Sequence, residues 1–200
     1  MKGSIIIVSF FILGVILSYS DWIPQSVIEN DITIYILYLL MFFVGISVGS
    51  DRTVFSAVKQ QGFKIFILPI GTIIGTLAGS AITGLLYGGR SLTDCLAVAS
   101  GFGYYSLSSI FITEFKGAEL GTVALVSNVL REIITLLFAP LLAYYFGKLA
   151  PISSGGATTM DTTLPIITKV SGKEFIVISV FHGIIVDFSV PFLVTFFCTL

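Results

Sequence analysis

Hydrophobic runs of about 20 residues, separated by short polar stretches, make up most of this chain of 200 residues. A run of that length is what an α-helix needs to cross the hydrocarbon core of a bilayer. The runs predict full membrane spans at 3–20, 32–50, 64–87, 119–146 and 175–199. We therefore expect an all-α integral membrane protein, a polytopic helical bundle that forms one transmembrane domain over residues 1–200.

Two further segments, 91–113 and 150–168, are apolar only in part. The first contains the glycine-, tyrosine- and serine-rich stretch Ser100–Ser109, and the second contains Gly155–Pro165, which combines glycines, threonines, one acid and a proline. Irregular backbone at membrane depth is tolerated where protein or a water-filled cavity surrounds it. Both segments are therefore predicted to be re-entrant or broken helices that line a polar cavity.

The composition supports a membrane environment and excludes several function classes. Charged residues make up 10% of the chain and the net charge is −1, whereas soluble domains carry about 25% charged residues. This balance indicates no nucleic-acid partner. Without a cysteine or histidine cluster, a nucleotide-binding loop or a hydrolase motif, we expect no metal, no cofactor and no catalytic residues, and we predict that the protein is not an enzyme.

The distribution of basic residues predicts the orientation in the membrane. Positive charge marks the cytoplasmic side, so Lys2 and the basic residues of 52–64 belong inside, whereas the acidic loop after the first span belongs outside. The basic residues of 148–173 also lie inside if 91–113 enters from the outside and returns. The prediction is five full spans and two re-entrant segments, with the N-terminus inside and the C-terminus outside.

A weak internal repeat relates the two polar segments. Ser100–Ser109 can be laid on Ser154–Thr163, and with one inserted residue Glu132 meets Asp187. Each unit is then one dipping segment followed by one full span, so the second copy is inverted. Inverted repeats with broken helices that meet near the midplane are the architecture of many secondary transporters. The alternative is a chance similarity between two loops rich in glycine and hydroxyl groups.

Asp161 is the residue on which the predicted function depends. A charge inside the bilayer is expensive and indicates a functional site by default. Glycines and hydroxyl groups surround Asp161 in the sequence, and Pro165 frees a backbone carbonyl and breaks the helix. Such a carboxylate can bind a cation or exchange protons. The structural alternative is that Asp161 caps a helix that begins near Pro165.

Three other polar residues fall inside predicted spans. The functional interpretation is that Glu132 faces the cavity and Arg131 sets its charge state, and the structural one is that each satisfies a polar group of another helix. His182 is either a relay or substrate contact or a hydrogen-bond partner between helices. Asp187 lies five residues further on, is expected on a different helix face, and is assigned no role.

The residues expected to bind substrate or to couple protons lie in the two polar segments or in the spans beside them. Each offers a polar side chain or, at glycine, an accessible backbone group. They are Asp161, Glu132, Arg131, Thr158, Thr159, Thr162, Gly101, Gly103, Tyr104, Tyr105, Ser106, Asn128 and His182.

The order and spacing of five motifs resemble the prokaryotic lysine exporter family over nearly the whole chain. These motifs are Ala99–Ser108, Ala118–Gly121, Leu130–Glu132, Gly155–Pro165 and His182-Gly183. The resemblance implies a secondary exporter of L-lysine and toxic analogues such as thialysine in the cell membrane, coupled to the proton gradient. It also implies that Asp161 is a functional intramembrane acid of the family, and it places Arg131-Glu132 in a family motif.

Two departures from the family pattern matter. The chain matches the C-terminal two-thirds of single-chain members, which carry further N-terminal helices with another intramembrane acid, and Asp187 stands where the family leads us to expect a small or apolar residue. We expect either that a separate small membrane protein supplies the missing helices or that the chain assembles without them, for example as a homo-oligomer. A cation/proton antiporter and a non-transporting subunit of a transporter remain the alternative functions.

Overall fold

The computed structural model describes residues 62–200 continuously and, before them, isolated positions between 13 and 59. The chain divides into two compact units, Met1–Leu40 and Met41–Leu200. In the first unit the described positions (13, 16, 17, 35 and 39) are all helical. The predicted spans 3–20 and 32–50 lie almost entirely outside the described residues.

The described part of the second unit is helical with no strand, which confirms the all-α prediction. A 3₁₀ turn at Gly62–Phe66 leads into the first long helix. In chain order the helices are α1 (Ile67–Tyr87), α2 (Leu92–Ala99), α3 (Tyr105–Lys116), α4 (Ala118–Phe146), α5 (Ala150–Gly155), α6 (Leu164–Ser171) and α7 (Ile176–Thr199). Further 3₁₀ turns lie at Gly156–Met160 and Lys173–Phe175.

Three of these helices are long and apolar enough to cross a membrane: Lys64–Leu86, Ala118–Phe146 and Lys173–Thr199. The predicted spans 64–87, 119–146 and 175–199 fall on them, and their placement in a bilayer stays a prediction. Helices α1 and α4 expose large apolar side chains, such as Leu86 and Leu137, as lipid-facing helices do. Half of the α7 segment is buried, so α7 is the central helix of the described part.

Local sequence signals explain where the helices begin and end. Helix α2 begins after Ser91, whose hydroxyl accepts a hydrogen bond from the backbone N–H of Asp94 at 3.1 Å, which is the usual N-terminal cap. Helix α1 ends at Gly88, which adopts the left-handed conformation with φ 58°. Helix α6 begins at Leu164-Pro165, because proline is favoured in the first turn of a helix.

One order of elements occurs twice. A short helix, a break, a second short helix and a long helix appear as α2, Ser100–Tyr104, α3 and α4, and again as α5, Gly156–Thr163, α6 and α7. The two breaks lie within the segments 91–113 and 150–168. Re-entry of these segments into the membrane and inversion of the second copy stay predictions.

Helix α7 holds the second break against the rest of the bundle. It packs along the 3₁₀ turn Gly156–Met160 and against α2 and α3. Phe181, Val186, Val190 and Val194 on this helix are completely buried. The approach is close at Gly183, because a Cβ atom at that position would lie 2.7 Å from the backbone nitrogen of Met160. The break is therefore fixed by packing as well as by its own sequence.

Candidate functional site

The first break turns the chain at Phe102 and Gly103, which both have positive φ, 45° and 95°. Phe102 is completely buried and is the one described residue other than glycine with positive φ, a conformation that costs energy unless its surroundings enforce it. Asn128 on α4 provides part of that support, since its Oδ1 accepts from the N–H of Gly103 at 2.7 Å. The Asn128 amide nitrogen in turn donates to the carbonyl oxygen of Ala124 at 2.9 Å.

The second break is held by its own threonines. The hydroxyl of Thr158 donates to the carbonyl oxygen of Gly155 at 2.9 Å, and the backbone N–H of Thr163 donates to the carbonyl oxygen of Thr158 at 3.1 Å. Thr159 is completely buried, and its hydroxyl lies 2.9 Å from the carbonyl oxygen of Ser179 on α7. Side-chain oxygens thus satisfy backbone groups that a continuous helix would have paired.

The two breaks meet through backbone atoms. The N–H of Ala157 donates to the carbonyl oxygen of Phe102 at 3.0 Å. A Cβ atom at Gly156 would lie 2.0 Å from that same oxygen, and one at Gly103 would lie 3.1 Å from the carbonyl oxygen of Gly155. The glycines are therefore needed for the contact, because a side chain at Gly156 would force the two segments apart.

Arg131 on α4 is hydrogen-bonded to α5, the short helix that leads into the second break. Its Nε donates to the carbonyl oxygen of Ser154 at 2.8 Å, and its Nη2 donates to that of Ser153 at 3.1 Å. The guanidinium group also lies over the ring of Phe102, 5.9 Å from its centroid. Arg131 thus links α5, the helix that leads into the second break, to Phe102 in the first break, and none of these contacts involves Glu132.

A half-open pocket of about 240 Å³ lies where the breaks meet. Carboxylates, hydroxyl groups and bare backbone line it: Gly103, Tyr104, Tyr105, Ser106, Glu132, Ala157, Thr158, Met160, Asp161, Thr162 and Asp187. Glu132 comes from α4, Asp161 from the second break and Asp187 from α7. The lining carries three acids and no basic side chain, so the pocket favours a cation.

Asp161 lies at the exposed side of this pocket. Its Oδ1 accepts a hydrogen bond from the backbone N–H of Thr162. The interpretation of Asp161 as a helix cap is wrong, because α6 begins three residues later and Thr163 occupies the cap position. Asp161 instead follows the 3₁₀ turn Gly156–Met160 and lines the pocket as an exposed residue.

His182 lies outside the pocket lining. It is completely buried, with Nε2 2.9 Å from the hydroxyl oxygen of Thr72 on α1 and Nδ1 3.2 Å from that of Thr159. Both ring nitrogens are therefore engaged by hydroxyl groups of two different elements. The structure places His182 as a hydrogen-bond partner between helices.

The structure brings eight predicted site residues to one pocket, namely Gly103, Tyr104, Tyr105, Ser106, Glu132, Thr158, Asp161 and Thr162. It does not bring five others to the lining, namely Gly101, Asn128, Arg131, Thr159 and His182. Asn128 and Arg131 line a separate cavity of about 260 Å³, and a Cβ atom at Gly101 would clash with Asn128. These five hold the breaks in place.

Sequence reasoning missed Asp187 as a pocket residue. Two signals were present: an acid inside a predicted span, and its pairing with Glu132 in the internal repeat. Among residues 62–200, no group of three or more His, Cys, Asp or Glu residues is placed to hold a metal ion.

Comparisons with known proteins agree on one family. A family model described as "Lysine exporter LysO" matches residues 8–198. A Haemophilus influenzae protein described as a putative lysine exporter is 34% identical over 196 residues, which cover 96% of each chain. The Escherichia coli protein described as lysine exporter LysO is 32% identical over 166 residues, which cover 82% of this chain and 54% of that protein. No solved structure matches.

Proposed function

Because this chain belongs to the lysine exporter LysO family and is a multi-pass protein of the cell membrane, we propose that it exports L-lysine through the acidic pocket between its two broken segments. The observation that carries the proposal is the convergence of Glu132, Asp161 and Asp187 on one cavity with no basic side chain in its lining. The chain spans about half the length of the Escherichia coli relative, so the whole activity of that relative is part of the proposal.

The chemistry of lysine suits this pocket. Its side chain ends in a compact ammonium ion with three donors, which carboxylates can accept. Its α-amino and α-carboxylate groups need further polar partners, and the hydroxyls of Ser106, Thr158 and Thr162 line the same cavity. A volume of about 240 Å³ fits a small amino acid with some water. Thialysine has the same charged groups, so the pocket accepts it as well.

Proton coupling follows from competition for a carboxylate. Moving one net positive charge outward against an inside-negative potential costs about 2.3 kcal/mol per 100 mV, so export needs a driving ion. If a proton and lysine exclude each other at Asp161 or Glu132, inward proton movement drives lysine outward. The exposure of Asp161 and Thr162 at the pocket supports access from water.

Assembly with another chain is part of the same proposal. A separate small membrane protein or a second copy of this chain covers the open side of the pocket, where Tyr105, Ser106 and Asp161 are exposed. Copurification from gently solubilised membranes, followed by size measurement, tests this point: recovery of the chain as a fully active monomer would contradict it.

Thialysine sensitivity of cells tests the function directly. Cells that lack other lysine exporters and express this chain should resist thialysine, and Asp161→Asn should abolish the resistance because it removes the charge at the mouth. Asp94→Asn is the control, since Asp94 pairs with Lys116 at 3.6 Å outside the pocket. Unchanged resistance in Asp161→Asn, with equal protein in the membrane, would remove Asp161 from the mechanism.

A further inference from the structure

Asp187 differs from the other two acids of the pocket in its surroundings. It lies in the middle of α7 and is 9% exposed. Its Oδ1 is completely buried and has no hydrogen-bond partner, yet the residue lines the pocket. Asp161, by comparison, is exposed and bonded to a backbone N–H. Asp187 is therefore the most buried acid of the pocket, and its Oδ1 has no partner in the described part of the chain.

A buried carboxylate without a partner is unstable on its own. An uncompensated buried charge is strongly destabilising, so native proteins normally pair it or neutralise it by protonation. The ion pairs within residues 62–200 are Arg90–Glu119, Lys116–Asp94 and Lys148–Glu174, and none includes Asp187. The buried guanidinium of Arg131 is committed to the carbonyl oxygens of Ser153 and Ser154. No side chain of residues 62–200 supplies a counter-charge for Asp187, so a proton or the positive charge of a ligand is left to neutralise it.

We propose that Asp187 binds the side-chain ammonium of the transported amino acid and so selects cationic over neutral substrates; this inference rests on the proposed lysine export. The compact ammonium ion reaches the inner end of the pocket at Asp187. The α-amino and α-carboxylate groups, which carry two charges and are harder to desolvate, stay near the mouth beside Asp161, Thr158 and Thr162. Tyr104 lines the same pocket as both acids.

Norleucine tests this assignment because it has the carbon chain and α groups of lysine but lacks the side-chain ammonium. The protein is purified in detergent with any subunit that copurifies, and thermal stabilisation by lysine and by norleucine is titrated. In wild type, lysine should bind more tightly than norleucine by about tenfold or more, the effect of one charge-assisted contact. In Asp187→Asn that ratio should fall to about one, whereas Asp187→Glu should retain most of it.

The same experiment separates the two proposals and controls for folding. Without ligand, Asp187→Asn should melt at or above the wild-type temperature, because it removes an unpaired buried charge. A variant that fails to fold, or that keeps the wild-type ratio, overturns the role of Asp187, as does equal loss in the Asn and Glu variants. Wild type that binds neither lysine nor another cationic amino acid overturns the proposed function instead. Asp94→Asn should retain the wild-type ratio.

Discussion

The backbone N–H of Ala157 donates a 3.0 Å hydrogen bond to the carbonyl oxygen of Phe102, and this bond joins the two broken segments. Each residue belongs to one copy of the repeated order of elements. The bond brings irregular backbone from both copies to one pocket. If the same backbone groups were exposed to lipid, they would lack hydrogen-bond partners. The acidic pocket and the pairing of the breaks are therefore one structural feature.

Gly156→Ala should disrupt that pairing. The new Cβ atom would lie 2.0 Å from the carbonyl oxygen of Phe102, and the position has φ 63°. Because the neighbour is backbone and cannot move aside, we expect a loss of stability of about 3 kcal/mol or more together with loss of transport. Thermal unfolding in detergent and lysine efflux from vesicles measure the two effects.

Gly147→Ala is the matched control for this substitution. Gly147 also has positive φ, 88°, but nothing lies within 4 Å of a Cβ atom built there. It should be destabilised only by the conformational strain, about 1–3 kcal/mol, and keep its transport activity. Equal effects of the two substitutions would show that the close approach of the breaks is unimportant.

Asn128→Leu should destabilise the first break. Leucine has a similar size but cannot accept the hydrogen bond that the N–H of Gly103 donates to Asn128 at 2.7 Å. An unsatisfied buried donor costs about 1–3 kcal/mol, so a clear fall in the melting temperature is expected. Ser127→Ala, at the exposed neighbouring position, should stay within about 0.5 kcal/mol of wild type. A stable Asn128→Leu variant with full activity would contradict this role.

Arg131→Lys should fail to replace arginine. Lysine has no planar fork and cannot reach the carbonyl oxygens of both Ser153 and Ser154 in the geometry that Arg131 uses. We expect lower stability and a transport rate reduced about tenfold or more, in line with a loss of one to two charge-assisted hydrogen bonds.

Arg90→Lys is the control for the charge-conserving change. Arg90 pairs with Glu119 at the surface, and exposed pairs of this kind contribute about 1 kcal/mol or less. Near-wild-type efflux is therefore expected from Arg90→Lys. If Arg131→Lys also keeps near-wild-type efflux, the hydrogen bonds from Arg131 to the carbonyl oxygens of Ser153 and Ser154 are not needed for transport.

Much of the described fold follows from the sequence, because long apolar runs and helix-breaking residues are local signals. The clusters around Gly103 and Gly156 predicted breaks, and the breaks lie there. Asp161 and Glu132 were selected because acids are rare in apolar spans, and both line the pocket. The internal repeat aligned Glu132 with Asp187 but assigned Asp187 no role, and the structure places both acids in one pocket.

The remainder depends on tertiary contacts that a single sequence does not display. His182 and Arg131 are as unusual at membrane depth as Asp161. The partner of His182 is Thr72, however, and the partners of Arg131 are backbone carbonyl oxygens of α5. Only the packing of α1, α4 and α7 shows that these groups are satisfied. Asp187 was set aside because it departs from the family pattern, and its burial beside the pocket becomes visible only in the folded chain.

Exchange of labelled lysine in proteoliposomes tests the central claim most directly. Vesicles that contain the protein, with any copurifying subunit, are loaded with unlabelled lysine and diluted into labelled lysine or labelled sodium. We predict lysine accumulation without sodium accumulation, loss of lysine exchange in Asp161→Asn and Glu132→Gln, and normal exchange in Glu174→Gln, an exposed acid that pairs with Lys148 at 3.7 Å. Sodium exchange by wild type, or full lysine exchange by both pocket variants, would contradict the account.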